Sequence, residues 1–174
     1  MRKISALLLI SVLIWCAGAV AAGPASATLT LVNCTGTTTV NFSPALTNAT
    51  QTVEVEGADE GEPCVSLTHP ALTSFIAPFS GTATQSCTSF FAGGSGTETL
   101  HWNNNTTSVW NYTNSFSNVN GTKIGTSTGT IASGTLAGAA VTQTITFVNL
   151  DLAACSGTGL SEISGISTWT FTAL

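Results

Sequence analysis

Two histidines, His69 and His101, are the only imidazoles available for general acid–base chemistry, and Asp59 and Asp151 are the only aspartates. Serines abound, so a Ser-His-Asp set can be assembled by counting alone. A hydrolase needs more: a positioned nucleophile, its base and a pair of oxyanion donors. No G-x-S-x-G occurs. His69 precedes Pro70 in a loop-like stretch and His101 falls inside a hairpin pattern, where each reads as structural or exposed. Outside one acidic stretch, only Glu98, Asp151 and Glu162 remain as carboxylates for glycoside cleavage. Gly93-Gly94-Ser95-Gly96 precedes a strand and not a helix, so it does not make a phosphate loop. The chain is therefore read as non-catalytic, with no catalytic residue and no cofactor assigned, and a secreted hydrolase stays a remote alternative.

Five of the eight acids lie between Glu54 and Glu62: Glu54, Glu56, Asp59, Glu60 and Glu62. A calcium loop would use such oxygens, but the spacing departs from D-x-[DN]-x-[DN]-G. The expected role is a solvated strand face and loop tip that keep a chain poor in charge soluble. No metal site is assigned.

Aromatic rings beside amides offer a different chemistry. Thr97 to Thr113 reads as a β-hairpin, two runs rich in Thr, Val and aromatics around Asn103-Asn104-Asn105. A two-residue turn at Asn104-Asn105 pairs Trp102 with Thr107 and Leu100 with Val109, leaving Trp110 and Tyr112 on the face away from the core. A three-residue loop from Asn105 to Thr107 instead pairs Trp102 with Trp110 and buries both. The first register is favoured, because Asn tolerates the positive φ of a primed turn. It makes Trp110 and Tyr112 a candidate sugar-stacking platform, with Asn103 and Asn111 as hydrogen-bonding neighbours.

The elements that must position these residues are strands. Leu29 and Leu31, Val40 and Phe42, and Val53 and Val55 each alternate with polar neighbours, the period of half-buried antiparallel strands. Ser43-Pro44-Ala45-Leu46 reads as a turn. Leu72 to Ile76 reads as a short strand or one helical turn, and Ser80 to Cys87 as a strand. Asn118 to Gly138 is read as ordered strand and turn despite its Gly, Thr and Ser. Ala140 to Val148 is the clearest strand, and Ile166 to Thr172 the last.

The N-terminus has a different character. Met1-Arg2-Lys3 precedes an apolar run from Ile4 to Cys16 and then small residues, the pattern of a secretory signal peptide. Cleavage is expected after Ala27, with Ala22 the other candidate. An uncleaved anchor and lipid attachment at Cys16 are disfavoured alternatives. Residues 28–174 then form one secreted domain of ordinary size. With Arg2 and Lys3 removed, Lys123 is the one cation against eight carboxylates. A nucleic acid or an anionic membrane needs a basic footprint and is not an expected partner. An extracellular protein or a polysaccharide is.

Cys34, Cys64, Cys87 and Cys155 remain, an even number in an exported chain, which reads as two disulfides. Of the three connectivities, Cys34–Cys64 with Cys87–Cys155 is expected. Without a paired C-x-x-C, a zinc site is disfavoured.

Ordered along the chain, Cys34, Ser43-Pro44-Ala45-Leu46, Cys64, Cys87, Trp102 with Thr107-Ser108, Gly134 to Gly138 and Cys155-Ser156-Gly157 resemble a family of small secreted actinobacterial all-β proteins without an assigned function. The resemblance implies secretion and an immunoglobulin-like sandwich, and no chemistry. Many short strands at regular spacing independently fit an antiparallel β-sandwich or a flattened barrel. The expected role is that of a non-catalytic secreted or cell-envelope protein acting by contact or display, with a carbohydrate-binding module as the alternative.

Overall fold

The computed structural model describes residues 29–148 and 150–173. The expected signal peptide, residues 1–27, lies outside them. Eight antiparallel strands follow in chain order: β1 (Thr30–Leu46), β2 (Gln51–Val65), β3 (Phe75–Gln85), β4 (Gly94–Trp102), β5 (Thr107–Val119), β6 (Thr122–Gly134), β7 (Ala140–Val148) and β8 (Leu160–Thr172). Each pairs with its sequence neighbours and β8 returns to β1, closing an up-and-down barrel. The fold is thus all-β with two disulfides, but it is not an immunoglobulin-like sandwich. Closure through β1–β8 leaves one continuous sheet where a sandwich has two.

Period-2 patterning drives this closure. On β7, Val141, Gln143, Ile145 and Phe147 are buried while Thr142 is exposed and Thr144 and Thr146 are half-buried. On β1, Val32, Cys34, Thr38, Val40 and Phe42 point inward. Threonine outside and apolar residues inside suit a barrel whose β-branched outer face meets a polar surrounding.

Three local expectations change. The Ser43–Leu46 turn is absorbed into the end of β1, with a register irregularity between Asn41 and Leu46 where β1 meets β8. Phe75 and Ile76 open one long strand, β3, and do not form a separate element. The hairpin between β4 and β5 takes neither expected register. Leu100 pairs with Ser108 and His101 with Thr107, one residue from the favoured arrangement. The turn is Asn103-Asn104-Asn105, closed by Trp102 N–H to Thr106 O at 2.9 Å, with Asn105 at φ 64°. Asn104 Oδ1 accepts from the Thr106 N–H at 3.1 Å, and this side-chain bond favours the longer loop over the two-residue turn. A one-residue slip reverses faces, so Leu100, Trp102, Ser108 and Trp110 all point inward.

Two apolar clusters fill the barrel. One holds Trp102, Trp110, Trp169, Phe75 and Phe171 beside the Cys34–Cys64 disulfide. Its rings meet edge to face, for example Phe75 and Trp169 with centroids 5.1 Å apart. The other gathers Phe42, Leu46, Ile145, Phe147 and Leu160 beside Cys87–Cys155. The disulfides join the expected partners. The helical turn α1 (Cys87–Phe90) starts with a reciprocal cap between Ser86 and Ser89. It carries Cys87 into the second disulfide and Phe90 against the cluster.

Candidate functional site

Between the clusters the lumen is polar. Thr38 of β1, Asp59 of β2, Glu98 of β4, Ser127 of β6 and Gln143 of β7 are all buried there. Strand parity explains each. On β2, Glu54, Glu56, Glu60 and Glu62 face outward and exposed, whereas Asp59 shares the inward phase with Val53. On β4, Glu98 shares its phase with Leu100 and Trp102. The acidic stretch is therefore strand β2 and not a loop tip, and its carboxylates are divided between the two faces of the wall.

Asp59 accepts hydrogen bonds from the Thr38 hydroxyl and from Gln143 Nε2, the latter at 2.8 Å. The Glu98 carboxyl is its neighbour on the cavity wall. Burial pushes the Asp59 carboxyl up to about 6, against the pull of these donors. Burial and the adjacent Asp59 charge push Glu98 up to about 9. Two carboxyls so close cannot both ionise cheaply, so near neutral pH the pair holds one proton and one negative charge. Glu98 Oε2 is buried and receives no hydrogen bond. Tyr112 is raised to about 12 by burial and by the two acids. Its hydroxyl lies where a side chain on Gly96 would begin, 2.6 Å from that Cβ position, so only glycine fits opposite it.

The carboxyls border a cavity of about 270 Å³. Phe79, Phe90, Phe116 and Phe147 wall it on the side of the second cluster, and Glu98, Asp59, Tyr112 and Asn114 also line it. Here the barrel wall is thinnest. β3 and β4 pair only through Phe75–Trp102 and Ile76–His101, whereas β2 and β3 pair over the whole of β3. Pro78, which has no N–H for a ladder, stands two residues beyond the last β3–β4 pair. The cavity touches Phe79 on one side of this gap and Gly96, Thr97 and Glu98 on the other.

The residues expected to bind sugar are not brought together. Trp110 is 1% exposed in the first cluster, packed 5.0 Å from Trp169 and stacked at 4.5 Å on Tyr112. Asn111 faces outward and accepts from the Thr97 hydroxyl at 2.8 Å. Asn103 is used locally, accepting from the Thr73 and Ser74 amides and donating to Ala71 O. Only Tyr112, half-buried, reaches the cavity. The exposed aromatic platform is corrected on this ground, since the observed register turns both rings inward.

His69 is bound to the Thr68 hydroxyl at 2.9 Å, and His101 is exposed on the outer face of β4. Among the described residues no group of three or more His, Cys, Asp or Glu is gathered as a metal site, and no helix is long and apolar enough to cross a membrane. Asp59 and Glu98 were missed as a pair by sequence reasoning. The signal was present, because Asp59 breaks phase with the outward acids of its strand and Glu98 keeps phase with Leu100 and Trp102.

No family model, curated protein or solved structure matches this chain. What stands of the resemblance to secreted actinobacterial proteins is the all-β, disulfide-bonded body.

Proposed function

We propose that the protein is a non-catalytic, exported binding barrel that shelters a small, mostly apolar molecule in its lumen. The observation that carries this reading is the cavity itself: one end of the barrel is packed with interlocked tryptophans, while a space of about 270 Å³ is left among phenylalanines at the other. Eight-stranded barrels are just wide enough either to fill with side chains or to hold one small ligand. Apolar walls with a few convergent polar groups are the usual make-up of such a site, and the volume lies near the small end of the common range of about 300 to 1,000 Å³. Two disulfides suit an oxidising compartment outside the cytoplasm. The lack of a positioned nucleophile and base around the carboxyl pair favours holding over turnover.

The test is a titration of the folded, oxidised protein with N-phenyl-1-naphthylamine, an uncharged dye that brightens in apolar sites. The wild type is expected to bind it saturably. Val55→Phe, which enlarges a half-buried cavity-lining side chain, is expected to weaken binding at least about tenfold, or 1.4 kcal/mol, with unchanged circular dichroism. No saturable signal in the wild type, or equal binding by the folded variant, would overturn the reading.

A further inference from the structure

We propose that the molecule held in the lumen is a small primary amine in its protonated form, its ammonium seated on the Asp59–Glu98 carboxyls and its apolar body among Phe79, Phe90, Phe116 and Phe147. This deepens the reading of the barrel as a small-molecule carrier and rests on it.

Three independent features favour a cation. The first is charge without a counter-charge. A buried carboxylate is costly unless a cation or enough donors meet it, and among the described residues no cation lines the cavity. Lys123 lies over the Phe91 ring, 5.0 Å from its centre, while His69 and His101 are engaged or exposed elsewhere. The titratable group facing the pair is Tyr112, from β5. Thr38, Ser127 and Gln143 face it from β1, β6 and β7, Phe79 lines the cavity from β3, and β8 turns Gly165 and Ser167 inward, none of which titrates.

The second feature is an unused acceptor. Asp59 has donors from Thr38 and Gln143, but Glu98 Oε2, on a residue 8% exposed, has none. An ammonium brings three N–H donors to one point, enough to reach Glu98 and Asp59 together. The third is the wall. Four phenylalanine rings around one small space favour an organic cation over a bare metal ion, because their faces attract positive charge while their area buries an apolar stem.

The proton balance follows from the pair. Free, it carries one negative charge and one proton. With R–NH3+ bound, the ammonium stabilises both carboxylates, so Glu98 passes its proton to buffer and up to one H+ is released per amine. In acid, Asp59 takes up a proton, the pair becomes neutral and the attraction is lost.

Isothermal titration of the oxidised protein near pH 7.5 with 2-phenylethylamine and with its uncharged isostere 2-phenylethanol tests the assignment. Runs in phosphate and in HEPES, neither of which is a primary amine, read the proton released. The amine is expected to bind at least about tenfold more tightly than the alcohol, to release a substantial fraction of one proton, and to weaken by a similar factor near pH 5. Glu98→Gln, nearly isosteric, is expected to remove most of the preference. If the alcohol binds as well as the amine, or no proton is released, the amine assignment fails. In that event, dye binding that stays sensitive to Val55→Phe preserves the lumen reading, and loss of dye binding as well defeats both. The buffer comparison needs only the wild type, so it decides the matter even if the Glu98 variant folds poorly.

Discussion

Asp59 and Glu98 line the same cavity inside the barrel although their strands, β2 and β4, are separated in the sheet by β3. Curvature makes this possible, because inward side chains of a small closed barrel converge on its axis while their backbones stay in the wall. The two carboxyls fall between the tryptophan cluster and the phenylalanines of the cavity. Their proximity turns two acids that read as unrelated in sequence into one group with a shared proton.

The first consequence is an inverted pH profile of stability. A carboxyl whose folded pKa lies above its unfolded value holds more protons when folded, so its contribution is complete in acid and is lost as pH rises to the folded value. For Asp59 that window runs from about 4 to about 6, and for Glu98 from about 4.5 to about 9. The thermal midpoint is expected to fall between pH 5 and pH 9 by several degrees, using roughly 2 to 4 °C per kcal/mol for a chain of this size. In Glu98→Gln the fall above pH 6 should disappear. A wild-type midpoint that rises over that interval contradicts the assignment.

Gln143 is the side chain that steadies Asp59 from across the lumen. Gln143→Leu keeps the volume but removes a donor from a buried carboxylate, at a cost of about 1 to 3 kcal/mol above pH 7. Below pH 5, where Asp59 is protonated, the cost should shrink. Denaturant melts at the two pH values check this, and an equal loss at both would show that Gln143 acts only by packing.

Trp110 is a core residue and not a contact surface. Trp110→Ala should destabilise by about 3 to 5 kcal/mol, and its fluorescence should resist acrylamide quenching. Retention of the wild type on insoluble polysaccharide, lost in a folded Trp110→Phe protein, would restore the sugar reading.

Each disulfide closes a large loop, with sequence separations of 30 and 68. Replacing either pair by serine should lower stability by about 3 to 4.5 kcal/mol on the chain-entropy view, slightly more for Cys87–Cys155. Equilibrium unfolding of the two double variants measures this, and a loss below about 1 kcal/mol for either would contradict it.

Strand patterning carried much of the fold. Val141, Ile145 and Phe147 announce β7 directly, and an even number of cysteines after the expected signal peptide announces two disulfides. The choice between a sandwich and a barrel was not legible, because the pairing of Val32 with Phe171 and Cys34 with Trp169 links the two ends of the chain and leaves no local trace. The hairpin register was hidden for a similar reason. Three adjacent asparagines satisfy more than one turn, and the choice falls to the Asn104 side-chain bond and to the burial of Trp102 and Trp110 together. Asp59 was obscured by company: amid four outward glutamates, its single inward phase reads as one more solvated acid until the strand is in place.

The most direct measurement is a carbon-13 NMR titration of the side-chain carboxyl of Glu98, free and with 2-phenylethylamine. The free protein should show Glu98 still protonated at neutral pH and titrating near 9, and the bound protein should show it ionised at pH 7.5. A Glu98 carboxyl that titrates at the ordinary value of 4.5 and does not respond to the amine would contradict the account.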